Sequence, residues 1–342
     1  MNMEFKRKLP IPMETKELYP VTPDVARTVA RRRGELARIF AGEDDRTVLV
    51  IGPCSADRED SVMEYLTRLA ALAEKVAERL FIVPRVYTNK PRSSGEAYKG
   101  MLHQPDPEAA PDLFRGIITM REMHMRAVRE TGFTCADEML YPESYKYVDD
   151  LLGYVAVGAR SVEDQQHRLT ASAVEVPVGM KNPTSGDLRI MVNAVSTARS
   201  GHDFIYRGWE GRSAGNPLAH GILRGFADLE GRMHPNYDAA TVRRAGELFA
   251  EEGVGQPALI IDCNHCNSGK DPFRQPEIVR EVLEYRRREP ELARLVKGFM
   301  VESYLEDGNQ PVGGGVYGKS ITDACLGWEK SERLVLELAE AL

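Results

Sequence analysis

Residues 48–54 read VLVIGPC: four apolar, mostly β-branched residues, then Gly-Pro and a cysteine. A run that is apolar on both faces suits a buried parallel strand, and Gly-Pro ends it abruptly. The same pattern recurs as LFIVPRVY (80–87), FTCADE (133–138), YVAVGAR (154–160), VPVGMK (176–181), HGILRG (220–225), LIIDCNH (259–265) and GFMVES (298–303). Helical periodicity fills the gaps between the runs. Behind the first run, Val62, Leu66, Leu69, Ala73, Val76 and Leu80 recur at helical intervals, with Ser61 and Glu64 at capping-box spacing. Similar patterns occupy about 112–130, 142–152, 163–174, 188–199, 238–252, 276–288 and 321–341. Eight strand-then-helix units predict an α/β fold, a (β/α)8 TIM barrel, over the alternative of an open doubly wound sheet.

Outward from the repeat, residues 1–45 form an N-terminal extension with a helix expected from about Pro23 to Phe40, capped by Thr22. Residues 46–342 are expected to make a single barrel domain. Residues 88–110 form a long loop on the side where barrels build their sites. Residues 201–218 form a short insertion before strand six, on the opposite side.

The net charge of −7 over 342 residues excludes a broad cationic surface for nucleic acid or anionic lipid. No run approaches the ~20 apolar residues of a membrane helix, and MNMEFKRKLPIPMETKEL lacks the apolar segment of a signal peptide. Five cysteines, at 54, 135, 263, 266 and 325, follow no secreted disulfide pattern. These features predict a reducing, cytoplasmic setting.

Every strand-like run ends in a chemically active residue: Cys54, Arg85, Glu138, Arg160, Lys181, Arg224, His265 and Glu302. Arg85, Arg160, Lys181 and Arg224, joined by Lys90, would repel one another in a bowl of low dielectric. Such a basket suits a substrate carrying phosphate and carboxylate groups. Pairing of each cation with a carboxylate is the bland alternative. Cys54, His265, Glu302 and Asp323 offer a thiolate, an imidazole and two carboxylates. That set suits a divalent metal such as Mn, Fe, Co or Zn. Strands one, seven and eight are neighbours in a closed barrel, so these residues converge. Cys263 and Cys266 are expected to be non-ligands, Cys263 because strand alternation points it away.

IGPCS (51–55), PRVYTNKPRSS (84–94), GARSVEDQQHR (158–168), GMKNPTSG (179–186), SAGNPLAHGILRG (213–225), DCNHCNSGK (262–270), VESYLEDGNQ (301–310) and YGKSITDACLGWE (317–329) carry a family resemblance. From about residue 20 onward the sequence resembles the enteric-like type I 3-deoxy-D-arabino-heptulosonate 7-phosphate (DAHP) synthases. The resemblance implies a (β/α)8 barrel and metal ligands Cys54, His265, Glu302 and Asp323. It implies phosphoenolpyruvate against Arg85, Lys90, Glu138, Arg160, Lys181 and Arg224. It also implies erythrose 4-phosphate held by Arg92, Ser93 and Ser94, where the family carries threonines in place of the two serines. The implied reaction joins C3 of phosphoenolpyruvate to the aldose aldehyde and releases phosphate, with Lys90, Cys54 and His265 as the catalytic groups. A homodimer or homotetramer is implied as well.

Three departures from the family concern control. The N-terminal arm is shorter, the 201–218 segment is shorter, and Glu175 and Tyr206 stand where small hydroxyl residues are expected. A charge and a bulky ring there predict weak or absent inhibition by aromatic amino acids, as would suit secondary metabolism. The rival readings are the same chemistry on another aldose such as arabinose 5-phosphate, a non-catalytic sensor of phosphorylated metabolites, and a metal-dependent hydrolase.

Overall fold

The computed structural model describes residues 2–91 and 97–342. Eight parallel strands form the barrel: β1 Thr47–Gly52, β2 Leu80–Pro84, β3 Ala136–Glu138, β4 Tyr154–Val157, β5 Val178–Lys181, β6 His220–Leu223, β7 Leu259–Asp262 and β8 Val296–Glu302. They hydrogen-bond in the order β2-β1-β8-β7-β6-β5-β4-β3. The remaining seam, between β2 and β3, is closed by a parallel bridge, Arg85↔Ala136, with Val86 N–H donating to Ala136 O at 2.9 Å. The barrel expected from the eight runs is therefore the fold.

Strand alternation divides two apolar layers. Val48 and Val50 of β1, Phe81 and Val83 of β2, Ala156 of β4, Ile222 of β6, Ile260 of β7 and Met300 of β8 cluster in the barrel interior. Their strand neighbours Leu49, Ile51, Ile82, Val155, Val157, Leu259, Ile261, Phe299 and Val301 pack outward against the helices. The helix Pro23–Phe40, with Thr22 Oγ1 accepting from Val25 N–H, is the one expected. Its Leu36, Ile39 and Phe40 join the interior cluster from below. Phe40 stacks on His220 at the base of β6, with ring centroids 4.2 Å apart.

Close strand approach leaves no room at Gly298. A Cβ added there would lie 1.9 Å from Val48 O, within the β1–β8 ladder that pairs Val48 with Gly298 and Gly52 with Glu302. Gly298→Ala is expected to lower stability by at least the roughly 1–3 kcal/mol typical of overpacking, since backbone must move. An unchanged thermal midpoint would contradict this.

Several local expectations need correction. The first helix after β1 spans Glu59–Val76 with Arg58 at its N-cap, so Ser61 lies inside the first turn. Its hydroxyl meets Tyr304 Oη at 2.7 Å instead of capping the helix. Acidic Glu59 and Asp60 complement the helix dipole there. Helix covers only Pro142–Tyr145 and Gln165–Ala171 of the 142–152 and 163–174 patterns. The last helix begins at Trp328, because residues just before it are committed to the bridges Ser303↔Leu326, Gly308↔Cys325 and Asn309↔Ser320. The 201–218 insertion is an antiparallel hairpin, Asp203–Tyr206 with Trp209–Arg212. Arg207 and Gly208 turn it with φ of 52° and 83°, the conformation that a two-residue hairpin loop demands. GGGVYGKS at 313–320 spells the glycine string of a phosphate loop. It follows β8 without opening a helix, so the strand–loop–helix context of that motif is missing. Among the described residues, no helix is long and apolar enough to cross a membrane.

Candidate active site at the C-terminal mouth of the barrel

The parity that fills the interior with apolar side chains continues to the strand ends. Two residues beyond Val83 lies Arg85; two beyond Ala136 lies Glu138; two beyond Ile222 lies Arg224. Two beyond Ile260 lies Asp262, and two beyond Met300 lies Glu302. Lys181 ends β5 two residues after Gly179, where a Cβ would collide with Tyr154 Oη and Ile222 inside the barrel. An ionic layer thus caps the apolar one. Arg85, Lys90, Glu138, Arg160, Lys181, Arg224, His265 and Asp323 line a cavity of about 120 Å³ there. Cys54 and Glu302 are fully buried behind it. Gly158 lets Glu138 lean over the end of β4, since a Cβ at that position would sit 2.4 Å from Glu138 Oε1.

The cations are not uniformly unpaired. Arg85 Nη2 donates to Glu302 Oε1 at 2.7 Å and to Cys54 O at 3.2 Å, and its Nε donates to Pro53 O. The guanidinium also lies 3.8 Å from the Tyr87 ring centroid. Lys181 Nζ is 3.3 Å from Asp262 Oδ2. Lys90 Nζ touches Cys54 Sγ and lies 3.8 Å from Asp323 Oδ2. Arg160 and Arg224 make no ion pair among the described residues. The basket of unpaired cations therefore reduces to these two arginines, with the others each tied to an acidic group. A buried cation without a partner is too costly to be kept several times over.

Three donors meet behind the cations, with a fourth beside them. Sγ of Cys54 and carboxylate oxygens of Glu302 and Asp323 all lie within 4.8 Å of one another. His265 stands at their edge, with Nε2 3.9 Å from Glu302 Oε1. Its other nitrogen, Nδ1, is 2.8 Å from Asp262 Oδ2, close but off the hydrogen-bond axis, so neither atom has an aligned partner. A carboxylate behind a ligating imidazole is the usual orienting arrangement at metal sites. His265 adopts φ 48°, an uncommon conformation outside glycine that persists where the surroundings enforce it. Asn264 Nδ2 donates to Glu302 Oε2, and Gln275 exchanges two hydrogen bonds with the Glu302 backbone. Soft thiolate beside imidazole and carboxylates fits a divalent transition ion. Cys263 and Cys266 are buried and outside this group, as strand alternation predicts for Cys263.

Electrostatics follows from this packing. Burial pushes the Cys54 thiol up, and Glu302 adds to the effect while Lys90 opposes it. Burial works against the charge of Lys90, yet Cys54, Glu302 and Asp323 outweigh it and hold the ammonium protonated. Burial lowers Lys181 despite Asp262, and burial likewise lowers His265. Burial would raise Glu302, but Arg85, His265 and Lys90 keep it below the ordinary range.

The loop that delivers Lys90 is fixed from beneath. Asp137 Oδ1 accepts from Thr88 N–H at 2.9 Å, its Oδ2 accepts from the Thr88 hydroxyl, and His124 Nε2 lies 3.1 Å from the same oxygen. Arg92, Ser93 and Ser94 lie outside the described residues. Asp262 and Lys270 join the mouth in addition to the residues expected from the strand ends. Asp262 obeys the same parity as Glu302, which is the signal that could have found it. Lys270 lines the mouth 3.8 Å from Asp323 Oδ1 from a loop with no strand periodicity.

Residues 19–336 match the profile of the DAHP synthetase I family. The chain belongs to that family. It is 40% identical to the Trp-sensitive phospho-2-dehydro-3-deoxyheptonate aldolase of Enterobacter agglomerans, over 95% of this chain and 92% of that protein. It is 37% identical to the phospho-2-dehydro-3-deoxyheptonate aldolase of Corynebacterium glutamicum, over 98% of this chain and 92% of that one. The solved phospho-2-dehydro-3-deoxyheptonate aldolase of Francisella tularensis SCHU S4 superposes with a TM-score of 0.91 at 30% identity, over 99% and 98% of the two chains. Membership in the DAHP synthetase I family accounts for the barrel and for the full-length likeness.

Proposed function

We propose that this protein is a DAHP synthase, which condenses phosphoenolpyruvate with erythrose 4-phosphate in the first step of the shikimate pathway. The observation that carries this reading is the pair Arg160 and Arg224, without ion pairs among the described residues, facing the same mouth as the Cys54–Glu302–Asp323 donor group. Arg160, Arg224 and Lys181 would hold the phosphate and carboxylate of phosphoenolpyruvate, with Arg85 and Glu138 bounding that end. Arg92, Ser93 and Ser94 would receive the aldose phosphate. A divalent ion held by Cys54, His265, Glu302 and Asp323 would supply Lewis acidity at the aldehyde oxygen. Held in register, C3 of phosphoenolpyruvate forms a bond to the aldehyde carbon, and Lys90 gives its proton to the resulting alkoxide. Water adds at C2 and gives up one proton, which restores the Lys90 ammonium; the C2–O bond to phosphate then breaks as the C2 hydroxyl becomes the ketone, its proton leaving with inorganic phosphate.

Phosphate release from phosphoenolpyruvate, measured against a panel of phosphorylated aldoses, tests the reading. Erythrose 4-phosphate is expected to be turned over fastest, and a chelator is expected to stop turnover. Faster reaction with arabinose 5-phosphate would overturn the aldose assignment, and full activity in chelator would overturn the metal.

Weak or absent feedback inhibition forms part of the proposal. Tyr206 stands on the 203–212 hairpin with its hydroxyl buried and without a hydrogen-bond partner, and burial pushes its phenol up to about 12. Phenylalanine, tyrosine and tryptophan are expected to leave the rate unchanged in titration, and micromolar inhibition by any of them would refute this. A cytoplasmic setting is supported by five buried, unpaired cysteines. A homodimer or homotetramer is supported by exposed Met3, Phe5, Met13 and Leu18 of the N-terminal arm and by Ile205 and Trp209 of the hairpin, 81% and 77% exposed.

A further inference from the structure

At the opposite end of the barrel lies a larger cavity, about 870 Å³, open to solvent. Its walls come from the end of the helix Pro23–Phe40, the approaches to β1 and β7, the helices Ala239–Glu251 and Pro290–Leu295, Arg286 of the helix Gln275–Arg288, and the start of β8. Lys297 lines it at the start of β8, and Glu302 ends the same strand at the mouth. Five residues of strand place the two ends roughly 17 Å apart, so the cavity is separate from the site above.

Charges of both signs line this cavity, with Asp44, Asp45, Glu247 and Glu291 among Arg46, Arg243, Arg286, Arg294 and Lys297. Arg46 is neutralised by Asp44 at 2.7 Å and Glu35 at 3.1 Å, and Arg243 by Glu289 at 2.6 Å. Arg286 and Lys297 make no ion pair among the described residues. The Arg286 guanidinium reaches only Thr47 Oγ1, with both terminal nitrogens at 3.4 Å, and its Nε is buried without a partner. A solvated surface arginine would have water on that nitrogen. Lys297 is half-buried beside Gly42 at the foot of the barrel. Burial lowers both cations, Arg286 lowers Lys297 further, and Asp45 opposes that only in part. Two partly desolvated cations that no carboxylate contacts among the described residues are stabilised by an oxyanion, which a guanidinium fork binds in two-pronged fashion. Pro257, Leu292 and Leu295 add apolar wall, and the space far exceeds a bare ion.

We propose that this lower cavity binds a small metabolite through an oxyanion group, phosphate or carboxylate, clamped between Arg286 and Lys297. Because Thr47 opens β1 and Lys297 lies in β8, the ligand would touch the feet of the strands that lead to Cys54 and Glu302.

Calorimetric titration with inorganic phosphate and, separately, malonate tests the site and distinguishes a phosphoryl from a carboxylate ligand. The protein titrated is Arg160→Met/Arg224→Met, which removes the unpaired cations of the mouth. Saturable binding of at least one probe is expected. Adding Lys297→Gln, or separately Arg286→Gln, is expected to weaken it at least about 10-fold, the loss of one charge-assisted contact. Lys297→Gln alone, in the otherwise native chain, is expected to keep turnover within about twofold, because it leaves the mouth intact. That variant also carries the test should Arg286→Gln fail to fold. No saturable binding of either probe, or binding that Lys297→Gln leaves unchanged, overturns the proposal.

Discussion

Glu302→Ala is expected to abolish turnover and to destabilise the protein severely. The Glu302 carboxylate is fully buried, accepts from Arg85 at 2.7 Å and receives the amide of Asn264 on its other oxygen. Removing it leaves the Arg85 guanidinium, 1% exposed, without a counter-charge. Breaking one side of a buried pair costs roughly 3–5 kcal/mol. Against a total stability of about 5–15 kcal/mol, that loss endangers the fold. A cavity in the strand layer adds to it. The same change removes one donor of the Cys54–Glu302–Asp323 group, so retained metal should fall as well. Thermal midpoint, bound metal after dialysis and phosphate release would be read together. Glu302→Gln keeps the volume and a hydrogen-bond acceptor, so it is expected to fold better than the alanine variant while still failing in turnover. Wild-type stability and activity in either variant would sink the assignment.

Lys90→Met is expected to lower kcat/KM by about 10²–10⁴ while leaving the fold intact, the range for loss of a positioned proton donor. Methionine matches the length of the stem and removes only the ammonium. Lys90 is reached by a loop braced through Thr88 and Asp137, not by a strand, so its removal disturbs no ladder. Its charge sits beside Cys54, Glu302 and Asp323, so deleting it leaves these donors more negative. Bound metal is therefore expected to be retained or tightened, opposite to the Glu302→Ala outcome. Activity within tenfold of the native protein, or loss of metal, would refute the role given to Lys90.

The barrel was legible in the sequence because buried parallel strands are written as short apolar runs and the helices between them keep their own period. The elements that went astray are the ones whose conformation is set elsewhere. Helical spacing over 321–327 yields to bridges with the segment after β8, and the Ser61–Glu64 cap yields to a helix that starts at Glu59. Both are competitions between local preference and tertiary partners, which local pattern cannot score.

Strand parity alone determines that Arg85, Glu138, Lys181, Arg224, Asp262 and Glu302 face the barrel axis one layer above the apolar core. Closing eight strands into a ring likewise brings the ends of β1, β7 and β8, with Cys54, His265 and Glu302, to one side of the mouth, whereas Asp323 arrives on the bridged loop before the last helix. What only the tertiary structure decided is which charges cancel. Arg85 on β2 reaches Glu302 on β8 by crossing the end of β1, where Gly52 presents no side chain and where Pro53 and Cys54 offer their carbonyls. Lys181 and Asp262 meet across β6 in the same way. Pairing depends on stagger and on angstrom-scale reach between strands far apart in the chain. Residue type and spacing place charges in a layer; they do not measure the distances that leave Arg160 and Arg224 without an ion pair among the described residues.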